Sequence, residues 1–414
     1  MVGLGRRRDR RSGAVFFSTP AEQLHRAEND RMKAHNPLNP HKLRIVLVLQ
    51  GGGALGAYQA GVYQALHEHD LVPDWIVGTS IGAINAALIA GNHEADRLQR
   101  VQAFWDRIAH PDGVDMAKVD DEQRRANIML GTFDTVMRGA PGFFTPRYFS
   151  GFPVGMTVAP EKASYYDTMP LRATLEELVD FDYLNEPGGI RLTVNAIKVC
   201  AGELVHFDSL NGELCADHVR ASCSLPPAFP PVRVDGELYW DGGLYSNTPL
   251  ESVLSELPEG DTLCFMVDLW SAEGAEPVTM DEVSTRQKDV TFASRSKRHI
   301  ADYVSTWQMQ QKLREMYGRL PEGERSLVDQ QEMAALGCGT TLHIVRLPYA
   351  GRDWHMAAKD VNFSKGSIEW RWDQGYRDAL RAIGHAGWLR QVTEDTAVVV
   401  HELPSHDEGS RQAD

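Results

Sequence analysis

Gly78-Thr79-Ser80-Ile81-Gly82 sets a serine between two glycines, with the short apolar run Trp75 to Gly78 before it and an Ala- and Ile-rich run, Ser80 to Ala90, after it. Read as a strand meeting a helix, the junction has the small residues of a sharp turn that lifts a hydroxyl out of a sheet and onto a helix N-terminus, where developing negative charge is favoured. The corresponding chemistry is nucleophilic attack by Ser80 on an acyl carbonyl. Serine is also a preferred helix N-cap, so the motif alone leaves both roles open.

Two more segments bear on that choice. Trp240-Asp241-Gly242-Gly243 follows a strand at Glu237 to Tyr239 and puts a carboxylate at a strand end, where it is either a base or part of an ordinary turn. Gly51-Gly52-Gly53-Ala54-Leu55-Gly56 lies between the apolar run Ile45 to Leu49 and a helix from about Gly56 to His69. Glycines there allow close backbone approach, and successive amides at a helix start favour an anion, so the loop suits an oxyanion hole. Gly51, Gly53 and Gly56 also fit a dinucleotide fingerprint, but that reading needs an acid at the far end of the next strand. Asp74 precedes that strand and lies at the wrong edge, so nucleotide binding is set aside. His401, Glu402 and His406 fail as a zinc helix because the histidines are five apart with Pro404 between them. The chemistry needs neither metal nor cofactor, and none is expected.

Strand, helix, strand, helix from Arg44 to Ala90 is the start of a doubly wound α/β layer, and the uninterrupted run Ile45 to Leu49 suits a parallel strand buried on both faces. Helices are expected over Leu98 to Ile108 and Glu122 to Met137, a loop or lid over Gly139 to Pro160, a strand pair at Arg191 to Val199 and Leu204 to Phe207, and a central strand at Leu263 to Leu269. Asp281 to Gly318 is polar and helix-prone and marks a separate C-terminal unit containing a strand at Leu342 to Leu347. The expected organisation is a disordered basic extension over 1–42, a catalytic domain over 43–275, a C-terminal extension over 276–395 and a mobile acidic tail over 396–414.

The set of motifs resembles the patatin-like phospholipases. The glycine loop, the Ser80 motif and Asp241-Gly242-Gly243 occur in that family's order. Gly202-Glu203-Leu204-Val205-His206-Phe207 resembles its hairpin, Ala221 to Pro231 its proline-rich loop, and Asn247-Thr248-Pro249-Leu250 its turn after the Asp. The resemblance covers about Arg44 to Trp270; Lys359 to Ser364 and Trp370-Arg371-Trp372 resemble an extension behind some bacterial members, with the tryptophans read as core or interface anchors. It implies a three-layer α/β sandwich with a mostly parallel central sheet and a smaller, mainly helical C-terminal extension. It also implies a Ser80-Asp241 dyad, oxyanion donors from Gly51, Gly52 and Gly53, and supporting roles for Gly56, Gly78, Gly82, Gly242 and Gly243. The family commonly has Arg or Lys before the last glycine of the loop, whereas this chain has Leu55, which takes a cation from near the site.

An Asp at its usual pKa of about 4 is a poor base for a hydroxyl, so the dyad requires an environment that raises the value or strong preorganisation. The competing account is a triad with His299, His343 or His355. The substrate implied is a lipid acyl ester, with a small soluble ester, hydroxyacyl ester or thioester as the alternative and a non-catalytic lipid-binding module as the alternative of another class. Phe143, Phe144, Tyr148, Phe149 and Phe152 are candidates to line an acyl channel, or else to pack in the core.

Composition bounds the partners. Over 414 residues, 43% are hydrophobic and 24% charged, enough for a sizeable core, and the net charge of -15 argues against nucleic acid. Arg6, Arg7, Arg8, Arg10 and Arg11 are the basic exception, read as a solvated tail or a weak contact with anionic lipid. The five cysteines form no Cys-x-x-Cys pair and read as reduced thiols of a cytoplasmic protein. No apolar segment has the length of a signal or a membrane span, which leaves room for peripheral contact at the inner membrane face and for a homo-oligomer.

Overall fold

The computed structural model describes residues 6–8, 15–17, 36–40, 42–112, 121–147, 157–256, 260–321, 340–351, 357–389 and 396–403. Nine strands form one sheet: β1 Arg44–Leu49, β2 Trp75–Gly78, β3 Arg191–Lys198, β4 Glu203–Asp208, β5 Val232–Val234, β6 Glu237–Asp241, β7 Thr262–Asp268, β8 Leu342–Pro348 and β9 Val398–Glu402. Their order is β9-β8-β7-β1-β2-β3-β6-β5, with β4 also paired to β3. Pairings from β9 through β3 are parallel, and those of β4, β5 and β6 are antiparallel.

Alternation along β1 explains why its run is apolar without a break. Ile45, Leu47 and Leu49 enter the larger core on one face, while Val46 and Val48 enter a second core on the other. The first face is covered by α1 (Ala57–Glu68), α2 (Ile81–Ala90) and α3 (Glu94–Ile108). The α4 helix (Asp121–Arg138), α5 (Met169–Leu178) and α6 (Ala216–Ser222) follow in the chain. The second face receives Leu250 and Val253 of a short helix, and Ile300. These layers form the expected α/β sandwich. Among the described residues no helix is long and apolar enough to cross a membrane.

Three boundaries differ from the sequence reading. Residues 36–40, expected in a disordered extension, are docked: Asn36 Nδ2 donates to the carbonyls of His69 and Asp70, at 3.1 and 2.9 Å, and Trp388 Nε1 donates to Leu38 O at 3.0 Å. The C-terminal stretch shares the sheet, because β8 and β9 pair in parallel beyond β7. The segment expected to open a mobile tail at 396 supplies β9, whose backbone completes the β8 edge; residues 404–414 lie outside the described set. The extension also carries helices α7 (Met280–Phe292), α8 (Ser296–Gly318) and α9 (Lys365–His385).

The α9 helix lies on α1 at backbone distance. A Cβ on Gly61 would run into the carbonyl of Trp372, and one on Gly375 into that of Tyr58. Polar side chains fix the crossing: Tyr58 Oη donates to Asp378 at 2.9 Å, Trp372 Nε1 to Gln64 at 2.6 Å and Tyr376 Oη to Glu68 at 2.6 Å. Gly61→Ala is expected to force the helices apart and to lower the unfolding free energy by about 2 kcal/mol or more in a denaturant titration.

Candidate active site

The turn from β2 into α2 puts Ser80 at φ 55° and ψ -124°, a conformation that costs an L-residue of order 1–3 kcal/mol. The surroundings hold it there. Ser80 N–H donates to Ser222 Oγ at 3.0 Å, and its carbonyl accepts from Ala83 N–H at 2.8 Å and from the Cys223 thiol at 3.1 Å. The flanking glycines are required by close approach: a Cβ on Gly78 would strike the Gly82 carbonyl, and one on Gly82 the carbonyl of Leu49. A Cβ on Gly56 would meet Ile81, so this glycine lets the loop pack on the start of α2.

Asp241 ends β6 opposite Ala196 of β3 and is 2% exposed. Its N–H donates to Ser224 O at 3.1 Å, and its Oδ1 accepts from Gly243 N–H at 2.7 Å. The Ser80 side chain lies close enough to the carboxylate to favour its charged form. Burial drives the pKa of Asp241 up to about 7, against the opposing pull of the Ser80 hydroxyl and the Gly243 amide. Gly242 is needed because a Cβ there would meet the backbone of Asn195 on β3. Cys223 is buried beneath the turn, and burial pushes its thiol well above the ordinary range, so it stays neutral.

The glycine loop faces this pair, since a Cβ on Gly51 would come within 3.1 Å of Ser80 Cβ. Gly51 differs from its expected role: its N–H is already given to Asn247 O at 3.0 Å and is not available to an oxyanion. Its carbonyl accepts from Trp270 Nε1 at 2.8 Å and from Asn247 Nδ2 at 3.1 Å. A trans peptide holds the C=O of one residue opposite the N–H of the next, so pinning Gly51 C=O turns Gly52 N–H the other way. Gly52 C=O is pinned in turn by Leu55 N–H at 3.1 Å, which turns out Gly53 N–H. Gly53, at φ 55°, has a conformation suited to glycine, and a Cβ there would meet the carbonyl of Asp360.

Several supporting groups have no motif to announce them. Gln50 accepts from Trp270 N–H at 3.0 Å and donates to Thr248 Oγ1 at 2.7 Å and Phe292 O at 3.0 Å. It thereby ties the loop to the end of β7 and to α7. Asn247 lay inside a quoted turn, yet nothing in its spacing foretold that it would brace Gly51 and donate to Phe292 O. Leu55 is fully buried and belongs to the main core.

Two of the histidine alternatives have partners other than Ser80. His299 sits against Glu251 and His343 hydrogen-bonds His401, while His355 is outside the described residues. Phe143 and Phe144, at 4% exposure each, pack with Phe104, Phe229 and Phe363 as core rather than lining a channel. Tyr148, Phe149 and Phe152 fall outside the described residues.

Comparison with known proteins adds a family. A profile described as patatin-like phospholipase matches residues 47–254, and a second, described as patatin phospholipase, matches residues 290–395. An uncharacterised NTE family protein of Mycobacterium tuberculosis is 28% identical over 225 residues, covering 54% of this chain and 30% of that protein. The lysophospholipase NTE1 of Saccharomyces cerevisiae is 24% identical over 256 residues, covering 62% of this chain and 12% of that one. The chain thus spans less than a third of the length of these relatives. Among solved structures, VipD from Legionella pneumophila aligns at a TM-score of 0.37 and 14% identity, over 96% of this chain and 74% of that one.

A carboxyl whose folded pKa lies above its unfolded value gives stability that is present below the unfolded value and lost as pH rises through the folded one. For Asp241 that window runs from about 4 to about 7. Asp241→Asn is therefore expected to resist denaturant better than the native chain at pH 8, with the advantage shrinking as pH falls toward 4.

Proposed function

The chain belongs to the patatin-like phospholipase family, and we propose that it is a serine acyl hydrolase cleaving lipid acyl esters, of the phospholipase A or lipid acyl hydrolase type. The observation that carries this reading is Ser80, held on a positive-φ turn beside a buried Asp241 whose pKa burial raises to about 7. A base poised near neutrality accepts a proton from a hydroxyl far better than an ordinary Asp does. The name of the yeast relative, lysophospholipase, favours the same substrate class.

In the proposed reaction the Ser80 proton passes to Asp241 as Ser80 Oγ attacks the ester carbonyl carbon. Negative charge collects on the carbonyl oxygen, where Gly52 and Gly53 N–H receive it; one such donor is typically worth about 3 kcal/mol of barrier. Collapse of the tetrahedral species expels the alcohol, which takes its proton from Asp241 and leaves an acyl-serine. Water, deprotonated by Asp241, then attacks the acyl-serine carbonyl, and the returning proton restores the Ser80 hydroxyl. The left-handed turn and the pinned loop supply the preorganisation that stands in for a histidine. A cytoplasmic setting, peripheral contact with the inner membrane face and self-association remain part of this reading; the unpaired, exposed Cys200 and Cys215 favour a reducing compartment.

The test is hydrolysis of phosphatidylcholine, lysophosphatidylcholine and a series of p-nitrophenyl esters, with chelator present. The expected outcome is activity on the lipid esters and a loss of about a thousandfold or more for Ser80→Ala and for Asp241→Asn. Because Asp241 must be ionised to act, kcat/KM should climb with pH up to about 7 and level off above it. Turnover confined to short soluble esters would move the assignment to a small-ester hydrolase, and an inert native chain would favour a lipid-binding module.

A further inference from the structure

The segment that presses on Gly53 comes from the C-terminal extension, and it is fastened from two sides. Lys288 of α7 bonds Asp360 at 2.7 Å, while Asp289, the next residue, bonds Lys359 at 2.6 Å. From the other side comes Arg371 of α9, fully buried at 0% exposure. Its Nη1 donates to Ala54 O at 3.2 Å and Asn362 O at 3.1 Å, and its Nη2 to Lys359 O at 2.9 Å. One guanidinium thus joins the glycine loop to the segment covering it. Lysine could not reproduce this, because the bonds use a planar fork with several fixed donors.

We propose that Arg371 is a positioning residue for the oxyanion donors, acting on Gly53 N–H through the intervening peptide planes. Holding Ala54 C=O turns Leu55 N–H back toward Gly52 C=O, and that bond in turn sets the Gly52-Gly53 plane and aims Gly53 N–H. The α9 helix is therefore part of the catalytic apparatus, not only a cover for α1. The inference rests on the reading of Ser80 as a nucleophile that needs an oxyanion hole.

The experiment measures kcat and KM on p-nitrophenyl butyrate, and the inhibition constant of an alkyl trifluoromethyl ketone, for the full native chain, Arg371→Lys and Arg371→Met, with thermal unfolding recorded for each. The ketone forms a tetrahedral adduct whose oxygen reports on the oxyanion donors, which a general loss of stability would not move in folded protein. The expected result is a fall in kcat of about tenfold to a hundredfold in Arg371→Met, KM near the native value, and an inhibition constant raised by a matching factor. Arg371→Lys should lie between, and it decides the matter if Arg371→Met does not fold. Folded variants with native kcat and native ketone affinity, or a loss confined to KM, would overturn the role of Arg371 while leaving Ser80 as nucleophile. A native chain that neither hydrolyses the ester nor binds the ketone would remove the hydrolase reading and this proposal with it.

Discussion

Asp241 is a carboxylate sealed from water with one hydroxyl and one amide to stabilise its charge. An isolated buried charge is costly, and the cost is met here by shifting the proton equilibrium toward neutrality and not by adding a cation. That choice dictates the rest of the site. A second basic group is not needed if the hydroxyl is held against the carboxylate, and holding it there requires the left-handed backbone at Ser80. Glycines at 78, 82 and 242 follow, because each lets main chain from another element come closer than a Cβ permits.

The glycine loop obeys a related constraint. Its amides can face a developing oxyanion only if its carbonyls are occupied elsewhere, and apart from Leu55 N–H within the loop itself the partners come from distant parts of the chain. Trp270 follows β7, Asn247 follows the Asp241 turn and Arg371 lies on α9. The C-terminal extension thus continues the sheet through β8 and β9, and it reaches the site through the segment at 359–362, which closes over Gly53.

What could be read from the sequence follows from which physical signals are local. The unbroken run at β1, the glycine-flanked serine and the strand-end Asp each report their own backbone, so the sheet strand and the turn were legible, while the pairing of Ser80 with Asp241 came from the family resemblance. Long-range hydrogen bonds leave no such trace. Gly51 reads as a third oxyanion donor until Asn247 is found on its N–H. Phe143 and Phe144 read equally as a channel or as core until Phe229 and Phe363 are found against them. The short apolar segment at β9 looks like the start of a tail because its strand pairing is with β8, more than fifty residues earlier.

The central claim is that Asp241 activates Ser80 directly. Its most direct test is the pH dependence of Ser80 labelling by a fluorophosphonate, located by peptide mass mapping, in the native chain and in Asp241→Asn. The account predicts labelling at Ser80 alone, with a rate that rises to a plateau through the pKa of about 7 and collapses in Asp241→Asn at every pH. Undiminished labelling of Ser80 in Asp241→Asn, with the same pH profile, would contradict it and place the base on another residue.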